Sequence, residues 1–312
     1  MNQDFQVEVC SKSITDIILS NKVDFNEASV NEIWWLRDII KDKVVYFINN
    51  KLPIEFSMSA FSLKCQIEWK CISNLPDMAE FDAIKVFDKL ANDIKWIYSP
   101  WVDINIFADG RLFVWLLYWF KDELITEYLD NLKWIVNDVN KTDIKITSLE
   151  DIYWTDFDNS RKSLFSDKKV DLNLMIQDIK STEYWKRLLT YIRDFYAKDI
   201  RTPLWLSLRE SKNQWLNMAT WVFSTTKSWW KVIEESTDEN CIRLSCHPRP
   251  YTYEPWKIWI HMNTSQIKSW MPWHWVALLT TDWIKYIREK DAIEMWTRYV
   301  YNSWLPYYEY LK

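Results

Sequence analysis

Glycine is almost absent from this chain of 312 residues, which contains one glycine, Gly110, and 23 tryptophans. Glycine supplies left-handed backbone at turns without steric cost, and it ordinarily makes up about 7% of a sequence. Tryptophan stands instead in turn-like contexts at residues 99–101, 228–231 and 254–257. We therefore predict that most of these tryptophans are glycine in the living protein, as happens when a UGA codon assigned to glycine is translated as tryptophan. The alternative is a chain that is truly rich in tryptophan, which UGG codons throughout the gene would establish.

The charged residues are nearly balanced. Lys and Arg number 39 and Asp and Glu number 44, which gives a net charge of −5 at neutral pH. Proteins that bind nucleic acid usually carry a basic excess that attracts the phosphate backbone. We therefore expect no nucleic-acid partner.

Neither a membrane span nor a secretion signal is predicted. No apolar run reaches the length of about 18 residues that a span requires, and residues 1–20 contain Asp4, Glu8 and Asp16 without a basic start. We expect a soluble, cytoplasmic protein without a membrane partner. The cysteines are odd in number, are scattered along the chain and include no Cys-x-x-Cys pair. This pattern favours reduced thiols over disulfides or a zinc site. The cysteines are Cys10, Cys65, Cys71, Cys241 and Cys246.

Hydrophobic periodicity predicts helices and strands in alternation. Residues 79–98 carry apolar side chains at helical spacing, preceded by a capping box of Asp77 and Glu80. Residues 102–106 alternate as a strand does. Asp109-Gly110 is typical of a tight turn, and residues 112–117 are predicted to form the return strand.

The remaining segments complete the fold prediction. Helices are predicted at 120–139 and 171–198, and strands at 143–147, 241–246, 257–262, 276–280 and 284–287. The pattern indicates an α/β or α+β fold with a mixed β-sheet flanked by helices, helix-rich in the N-terminal two thirds and strand-rich in the C-terminal third.

The clearest polar pattern lies in that last third, which holds all three histidines, at 247, 261 and 274. Alternation along residues 243–247 places Arg243, Ser245 and His247 on one face of a strand and two apolar side chains on the other. Such a face suits the wall of a polar pocket, because burying it in an apolar core would be costly. An edge strand with a solvated face fits the pattern equally well.

Other polar residues have simple local explanations. His274 follows a proline that could fix its position, but it could also be a loop histidine without a role. Asp109 fits a turn and Asp77 a helix cap, and nothing local distinguishes Lys64 from a surface lysine.

Four segments, taken in order, resemble the pyoverdine/dityrosine biosynthesis family of isocyanide (isonitrile) synthases. The resemblance rests on the residues that match the family's motifs: Phe61-Ser62-Leu63-Lys64-Cys65 with Pro76-Asp77-Met78-Ala79-Glu80, Tyr98-Ser99-Pro100-Trp101 with Asp109-Gly110, Ile242-Arg243-Leu244-Ser245-Cys246-His247-Pro248 followed by Lys257, and Pro272-Trp273-His274. The family has glycine where this chain has Trp101, and tryptophan where it has Trp273, so Trp273 is expected to be authentic. Ser62, Cys65, Met271 and Trp275 depart from the family's pattern, which leaves the choice of substrate open.

The resemblance implies a catalytic domain at 55–312, preceded by an N-terminal helical segment at 1–54. It implies that the α-amine of an amino acid, Tyr or Trp, becomes an isonitrile with one carbon from ribulose 5-phosphate, without a metal or redox cofactor. An Fe(II)/2-oxoglutarate oxygenase would be a partner downstream in the pathway. N-formylation of an aromatic amino acid, and a non-catalytic small-molecule-binding relative, remain as alternatives.

The resemblance also assigns candidate residues. The expected catalytic residues are His247, His274, Asp109 and Lys64. The expected contacts to substrate and phosphate are Arg243, Ser245, Lys257, Arg249 and Trp273.

Overall fold

The structure is a computed structural model. It describes residues 3–23, 30–64, 71, 73–118, 120–140, 142–167, 190, 193, 197, 201, 205–246, 257–264, 271–281, 283–302 and 305–311. Within the described helices, no segment is long and apolar enough to cross a membrane.

A parallel sheet of five strands forms the centre of the fold. Its strands are β1 (Ile54–Ala60), β2 (Val102–Ala108), β3 (Ile144–Thr147), β4 (Ile242–Ser245) and β5 (Lys257–Trp259), in the order β3-β2-β1-β4-β5. The chain therefore moves outward from β1 in one direction and later resumes on its other side at β4. In open α/β sheets, ligands bind outside the carboxyl ends of the strands at such a switch point. A ligand site is therefore expected at the carboxyl ends of β1, β2 and β4.

Helices cover both faces of this sheet. They are α1 (Gln3–Ser20), α2 (Val30–Asn50), α3 (Met78–Lys95), α4 (Gly110–Tyr118), α5 (Asp122–Asn140), α6 (Leu149–Tyr153), α7 (Phe157–Asp167) and α8 (Leu208–Glu235). Phe56, Met58 and Ala60 of β1 enter a large apolar core together with residues of α3 and α5. The side chains between them, Ser57 and Ser59, face the side covered by α8, where Trp229 donates a hydrogen bond to Ser59. The sheet thus has one apolar face and one with polar positions.

A smaller mixed sheet follows. It contains β6 (Val276–Leu279), β7 (Ile284–Ile287), β8 (Thr297–Asn302) and β9 (Leu305–Tyr310) in the order β7-β6-β9-β8, with α9 (Glu289–Glu294) between β7 and β8. The expected fold class, mixed α/β with flanking helices, is confirmed. The strands β8 and β9 were not predicted. The division at residue 54 stays a prediction, although Ile14 of α1 and Leu36 of α2 belong to the same core as β1.

Most of the individual elements agree with the sequence, and α3 does so in detail. Both halves of its capping box form, because Asp77 accepts from the backbone of α3 and Glu80 accepts from the backbone of Asp77. The predicted helix 171–198 lies outside the described residues except at 190, 193 and 197, each of which is helical.

The predicted return strand at 112–117 is wrong, since these residues belong to α4. The amides of Leu112 and Phe113 both donate to the carbonyl of Asp109, which starts the helix. Parallel strands require a crossover rather than a hairpin, and an apolar run of this length does not distinguish a strand from a buried helix. Gly110 lies so close to the segment after β1 that a Cβ atom there would collide with the backbone oxygen of Ser62.

Tryptophan occupies left-handed backbone repeatedly. Among the described residues, six that are not glycine have positive φ, and four of them are Trp101, Trp154, Trp205 and Trp296, with φ of 63°, 55°, 54° and 55°. Their side chains are 55–95% exposed. Only glycine adopts this conformation routinely, so the backbone at these positions agrees with the glycine prediction.

Other tryptophans depart from the turn-like contexts assigned to them. Trp229 and Trp230 do not lie in a turn but inside α8, and Trp229 is 1% exposed. The turn predicted at residues 228–231 is therefore wrong, because Ser and Lys are also compatible with the interior of a long helix. Trp256 lies outside the described residues.

Candidate active site

Asp109 directly follows β2 at the carboxyl edge of the parallel sheet. Its carboxylate accepts hydrogen bonds from the hydroxyls of Ser59, at 2.8 Å, and Ser62. Burial raises the pKa of Asp109, and the two serine hydrogen bonds oppose this only in part. A carboxyl group that is half-buried, held in place and shifted toward neutral pH has the properties of a general acid or base.

Lys64 is fully buried, and it is not the surface lysine that its local sequence allowed. Its Nζ lies 2.7 Å from Oδ2 of Asp77 and 3.1 Å from Oε2 of Glu80. The same ammonium donates to the carbonyl of Trp275 at 2.8 Å. Lys64 therefore joins the segment after β1 to the start of α3 and to the segment that carries His274.

The charges in this cluster are strongly coupled. Burial lowers the pKa of Lys64, but the carboxylates of Asp77 and Glu80 more than offset it, so that the pKa is raised overall. Burial raises the pKa of Glu80, and the nearby ammonium opposes this only in part. Tyr128 donates to Glu80 at 3.2 Å. One ammonium and two carboxyl groups are electrically neutral when one carboxyl keeps its proton, which is the least costly state for a buried group.

Trp273 and His274 lie on a short 3₁₀ turn, Pro272–His274, directly before β6. Trp273 is buried, and its ring centroid is 5.4 Å from that of Phe61 and 6.0 Å from that of His274. The thiol of Cys71 contacts the carbonyl of Trp273. The buried indole of Trp273 thus packs between Phe61 and His274.

Arg243 and Ser245 lie on an interior strand, because β4 pairs with β1 on one side and with β5 on the other. Both side chains are buried, whereas Leu244 enters the core on the opposite face. The alternative of a solvated edge strand is therefore wrong. Arg243 forms an ion pair with Glu234 of α8 at 2.9 Å.

Lys257 is the register partner of Arg243 on β5. Its side chain is buried, and its Nζ lies 3.6 Å from the ring centroid of Trp230. Two cationic side chains thus lie side by side on the face of the sheet that α8 covers.

The candidate residues form three neighbouring groups. Asp109 meets Ser59 and Ser62 at the carboxyl edge; Lys64 and the Pro272–His274 turn lie with α3; and Arg243, Ser245 and Lys257 lie beneath α8. His247 and Arg249 fall outside the described residues, so their positions stay predictions.

Three contributors to these groups were not predicted as site residues, namely Ser59, Ser62 and Glu80. The strict alternation of β1, Ile-Glu-Phe-Ser-Met-Ser-Ala, was a usable signal, because it places Glu55, Ser57 and Ser59 on one face. Nothing in the local sequence indicates that Glu80 belongs to the site, because the capping box alone explains a glutamate at this position.

Comparison with known proteins finds relatives that include named isonitrile synthases. The chain is 29% identical over 238 residues to an L-tryptophan isonitrile synthase of Fischerella ambigua, covering 75% of this chain and 70% of that protein. It is 26% identical over 274 residues to an L-tyrosine isonitrile synthase of Pseudomonas aeruginosa, covering 86% and 82%. A shorter match of 35% over 86 residues links it to a spore wall maturation protein of Saccharomyces cerevisiae, with 27% of this chain and 16% of that protein covered.

The fold has a solved counterpart. The crystal structure of the PvcA protein from Pseudomonas aeruginosa superposes with a TM-score of 0.87 over 97% of this chain and 100% of that one, at 24% sequence identity. The family model described as pyoverdine/dityrosine biosynthesis protein matches residues 44–298, which include every group of the candidate site. The chain therefore belongs to the pyoverdine/dityrosine biosynthesis protein family.

Proposed function

We propose that this protein is an isonitrile synthase that converts the α-amine of an aromatic amino acid, Tyr or Trp, with ribulose 5-phosphate as the one-carbon donor. The observation that carries the proposal is that motifs from separate parts of the chain meet at the segment that follows β1. In this segment Ser62 donates to Asp109, and Lys64 donates to the carbonyl of the residue after His274. Two relatives of this chain are named as tyrosine and tryptophan isonitrile synthases.

The first chemical step defines what the site must provide. The amine nitrogen attacks the ketose carbonyl, a C–N bond forms, and loss of water leaves an imine. This sequence removes a proton from nitrogen and delivers one to the departing hydroxyl, so one group must act as base and then as acid. Asp109 fits that requirement, because its pKa is raised by burial and its two serine partners fix its orientation.

The substrates also require fixed cations. A phosphate or carboxylate binds best to preorganised charge-assisted donors, and Arg243 and Lys257 lie side by side beneath α8. Lys64 is already saturated by two carboxyl groups and a carbonyl. We therefore assign Lys64 to holding the Pro272–His274 turn in place rather than to contact with substrate, and His274 to proton transfer beside it.

We also propose that the living protein carries glycine at most tryptophan positions. Four tryptophans with left-handed backbone support this, and they are exposed to solvent, so that their indoles contribute little to packing. Reading the codons of the gene tests it directly. UGG at Trp101, Trp154, Trp205 and Trp296 would refute it.

The function is tested with a chain in which every tryptophan except Trp273 is changed to glycine. We would incubate it with Tyr or Trp and ribulose 5-phosphate and follow the products by mass spectrometry. An isonitrile product supports the proposal. A product heavier by one water identifies a formamide and therefore N-formylation. Binding of the amino acid without any product from a folded protein would establish a non-catalytic relative instead.

A further inference from the structure

Asp82 is a buried carboxylate on α3, with 7% of its surface exposed. Its Oδ2 accepts hydrogen bonds from the hydroxyl of Tyr286 at 2.5 Å and from the backbone amide of Thr264 at 3.0 Å. Its Oδ1 accepts from the hydroxyl of Thr264 at 2.8 Å. One carboxyl group therefore receives three hydrogen bonds, and they come from two different parts of the chain.

The two donors lie on either side of His274 in the sequence. Thr264 follows β5, and Tyr286 belongs to β7. The chain between them contains the turn that carries His274 and all of β6, while residues 265–270 lie outside the described residues. Asp82 thus binds both ends of the stretch of chain in which His274 lies.

The centre of the same stretch is also attached to α3. The ammonium of Lys64 donates to the carbonyl of Trp275, directly after His274, and two carboxyl groups in the first turn of α3 hold that ammonium. The stretch is therefore bound to one helix at three points, at its two ends through Asp82 and at its centre through Lys64.

Hydrogen bonds fix this position in a way that apolar packing does not. Ala277 of β6 and Tyr286 of β7 both belong to the core that includes α3, but hydrophobic burial is non-directional. Hydrogen bonds to a charged acceptor are directional and stronger than neutral ones. Burial and the carboxylate of Asp82 both raise the pKa of Tyr286, so the phenol keeps its proton and donates at neutral pH. The carboxylate therefore sets where the smaller sheet lies against α3.

We infer that Asp82 is a positioning residue for His274, acting through Thr264 and Tyr286 without contacting the substrate. The importance of His274 for turnover rests on the proposed function, whereas the anchoring of its turn does not. Proton transfer requires the donor and acceptor atoms to be within hydrogen-bond reach. A displacement of about 1 Å can therefore cost roughly 100-fold in rate.

Kinetics of the chain with glycine at every tryptophan except Trp273 test the role in turnover. Asp82→Asn keeps the shape of the side chain, but an amide no longer accepts hydrogen bonds on both of its ends. It should lower kcat roughly 10–100-fold and leave KM for both substrates within about twofold. The matched control is Asp88→Asn on the same helix, where the carboxylate accepts from Asn92 and Asn140. It should leave kcat unaltered, and an equal loss in both variants would overturn the inference.

Variants of the two donors test the same contacts from the other side. Tyr286→Phe and Thr264→Val each remove one hydroxyl, keep most of the side chain, and should lower kcat by less than Asp82→Asn. The matched control is Tyr98→Phe, since the buried hydroxyl of Tyr98 donates to two backbone carbonyls far along the chain from His274. Circular dichroism establishes that each variant is folded. Should Asp82→Asn not fold, the two donor variants carry the test, and kcat equal to that of Tyr98→Phe in both would overturn the inference.

A double-mutant cycle separates positioning of His274 from an independent role of Asp82. If Asp82 acts through His274, the effects of the two changes are not additive. Asp82→Asn should then lower turnover little further in a chain that already carries His274→Gln. A further loss of the full size seen with His274 present would show that Asp82 acts by another route, and would overturn the inference.

Nuclear magnetic resonance reports on the anchoring without any turnover. The chain contains three histidines, so the imidazole signals of His274 can be assigned from the spectrum of His274→Gln. Asp82→Asn and Tyr286→Phe should shift these signals, and Asp88→Asn and Tyr98→Phe should leave them in place. Unshifted signals in the first pair would overturn the inference whatever the activity. Shifted signals in a protein that forms no isonitrile would support the anchoring and refute the proposed reaction.

Discussion

The same substitution, tryptophan to glycine, should change stability in opposite directions depending on backbone conformation. At Trp101, Trp154, Trp205 and Trp296 the backbone is left-handed, which costs a residue with a Cβ atom roughly 1–2 kcal/mol. Glycine removes that strain but adds roughly 0.5–1 kcal/mol of backbone entropy to be lost on folding. The net gain is about 0.5–1 kcal/mol for each position, or about 2–4 kcal/mol for all four.

The matched control uses two tryptophans of similar exposure in helices. Trp134 in α5 is 47% exposed and Trp221 in α8 is 54% exposed. Glycine in an exposed helix interior costs roughly 0.5–1 kcal/mol relative to alanine. Changing both to glycine should therefore lower the free energy of unfolding by about 1–2 kcal/mol. Side-chain burial does not explain a difference in sign, because both sets are largely on the surface.

Urea denaturation followed by far-ultraviolet circular dichroism measures both sets without relying on tryptophan fluorescence. The fourfold variant should unfold at a higher urea concentration than the unaltered protein, and its melting temperature should rise by roughly 3–6 °C. The helical pair should move both quantities the other way. If the fourfold variant is destabilised as much as the helical pair, left-handed backbone does not explain the scarcity of glycine in this chain. The proposal that these tryptophans are glycine in the living protein would then lose its structural support.

Three further predictions concern the site, in the chain with glycine at every tryptophan except Trp273. Asp109→Asn should lower turnover by about 10²–10⁴-fold with substrate binding retained, as expected for a lost general acid–base group; steady-state kinetics measures it, and Asp130→Asn on the exposed side of α5 should have no effect. Arg243→Ala should cost about 2–5 kcal/mol of substrate binding, and Arg243→Lys should recover only part of it because the planar fork is lost; unchanged KM and turnover would show that Arg243 is structural. Because burial raises the pKa of Glu80, the folded protein keeps a proton that an unfolded Glu releases above pH of about 4.3. The free energy of unfolding should therefore fall as pH rises from there toward the folded-state pKa. Urea titrations at several pH values should show this slope flattened by Glu80→Gln and preserved by Glu123→Gln.

The elements that could be predicted are those with a complete local signal. Helix α3 carries both a capping box and a helical apolar stripe, and β2 alternates cleanly, so neither needs tertiary context. Helix α4 could not be identified, because its apolar run fits a strand and a buried helix equally well. What selects the helix is the parallel pairing of β1 and β2, which requires a crossover, and this pairing is a property of the whole sheet.

The site residues could likewise be predicted only where the signal is local. Polar alternation placed Arg243 and Ser245 on one face of a strand, because a strand's period of two is a local property, but it left open whether that face is buried or solvated. The partners of Asp109 were not accessible in this way, since Ser59 and Ser62 belong to a different strand and its extension, about 50 residues earlier in the chain. The family motifs contain Lys64 and Asp77 in that order along the chain, but they do not indicate that the two side chains form an ion pair.

Lys64 illustrates why composition and motif together still leave the role of a residue open. A lysine can be fully buried only if its charge is met by partners in the fold, and Asp77 and Glu80 meet it here through the first turn of α3. The same two carboxyl groups form the capping box. The helix start, the buried charge and the position of the His274 turn therefore depend on one another, because the ammonium of Lys64 also binds the carbonyl of Trp275. A residue that connects three elements in this way positions the site without having to contact the substrate, and a motif does not distinguish that role from a catalytic one.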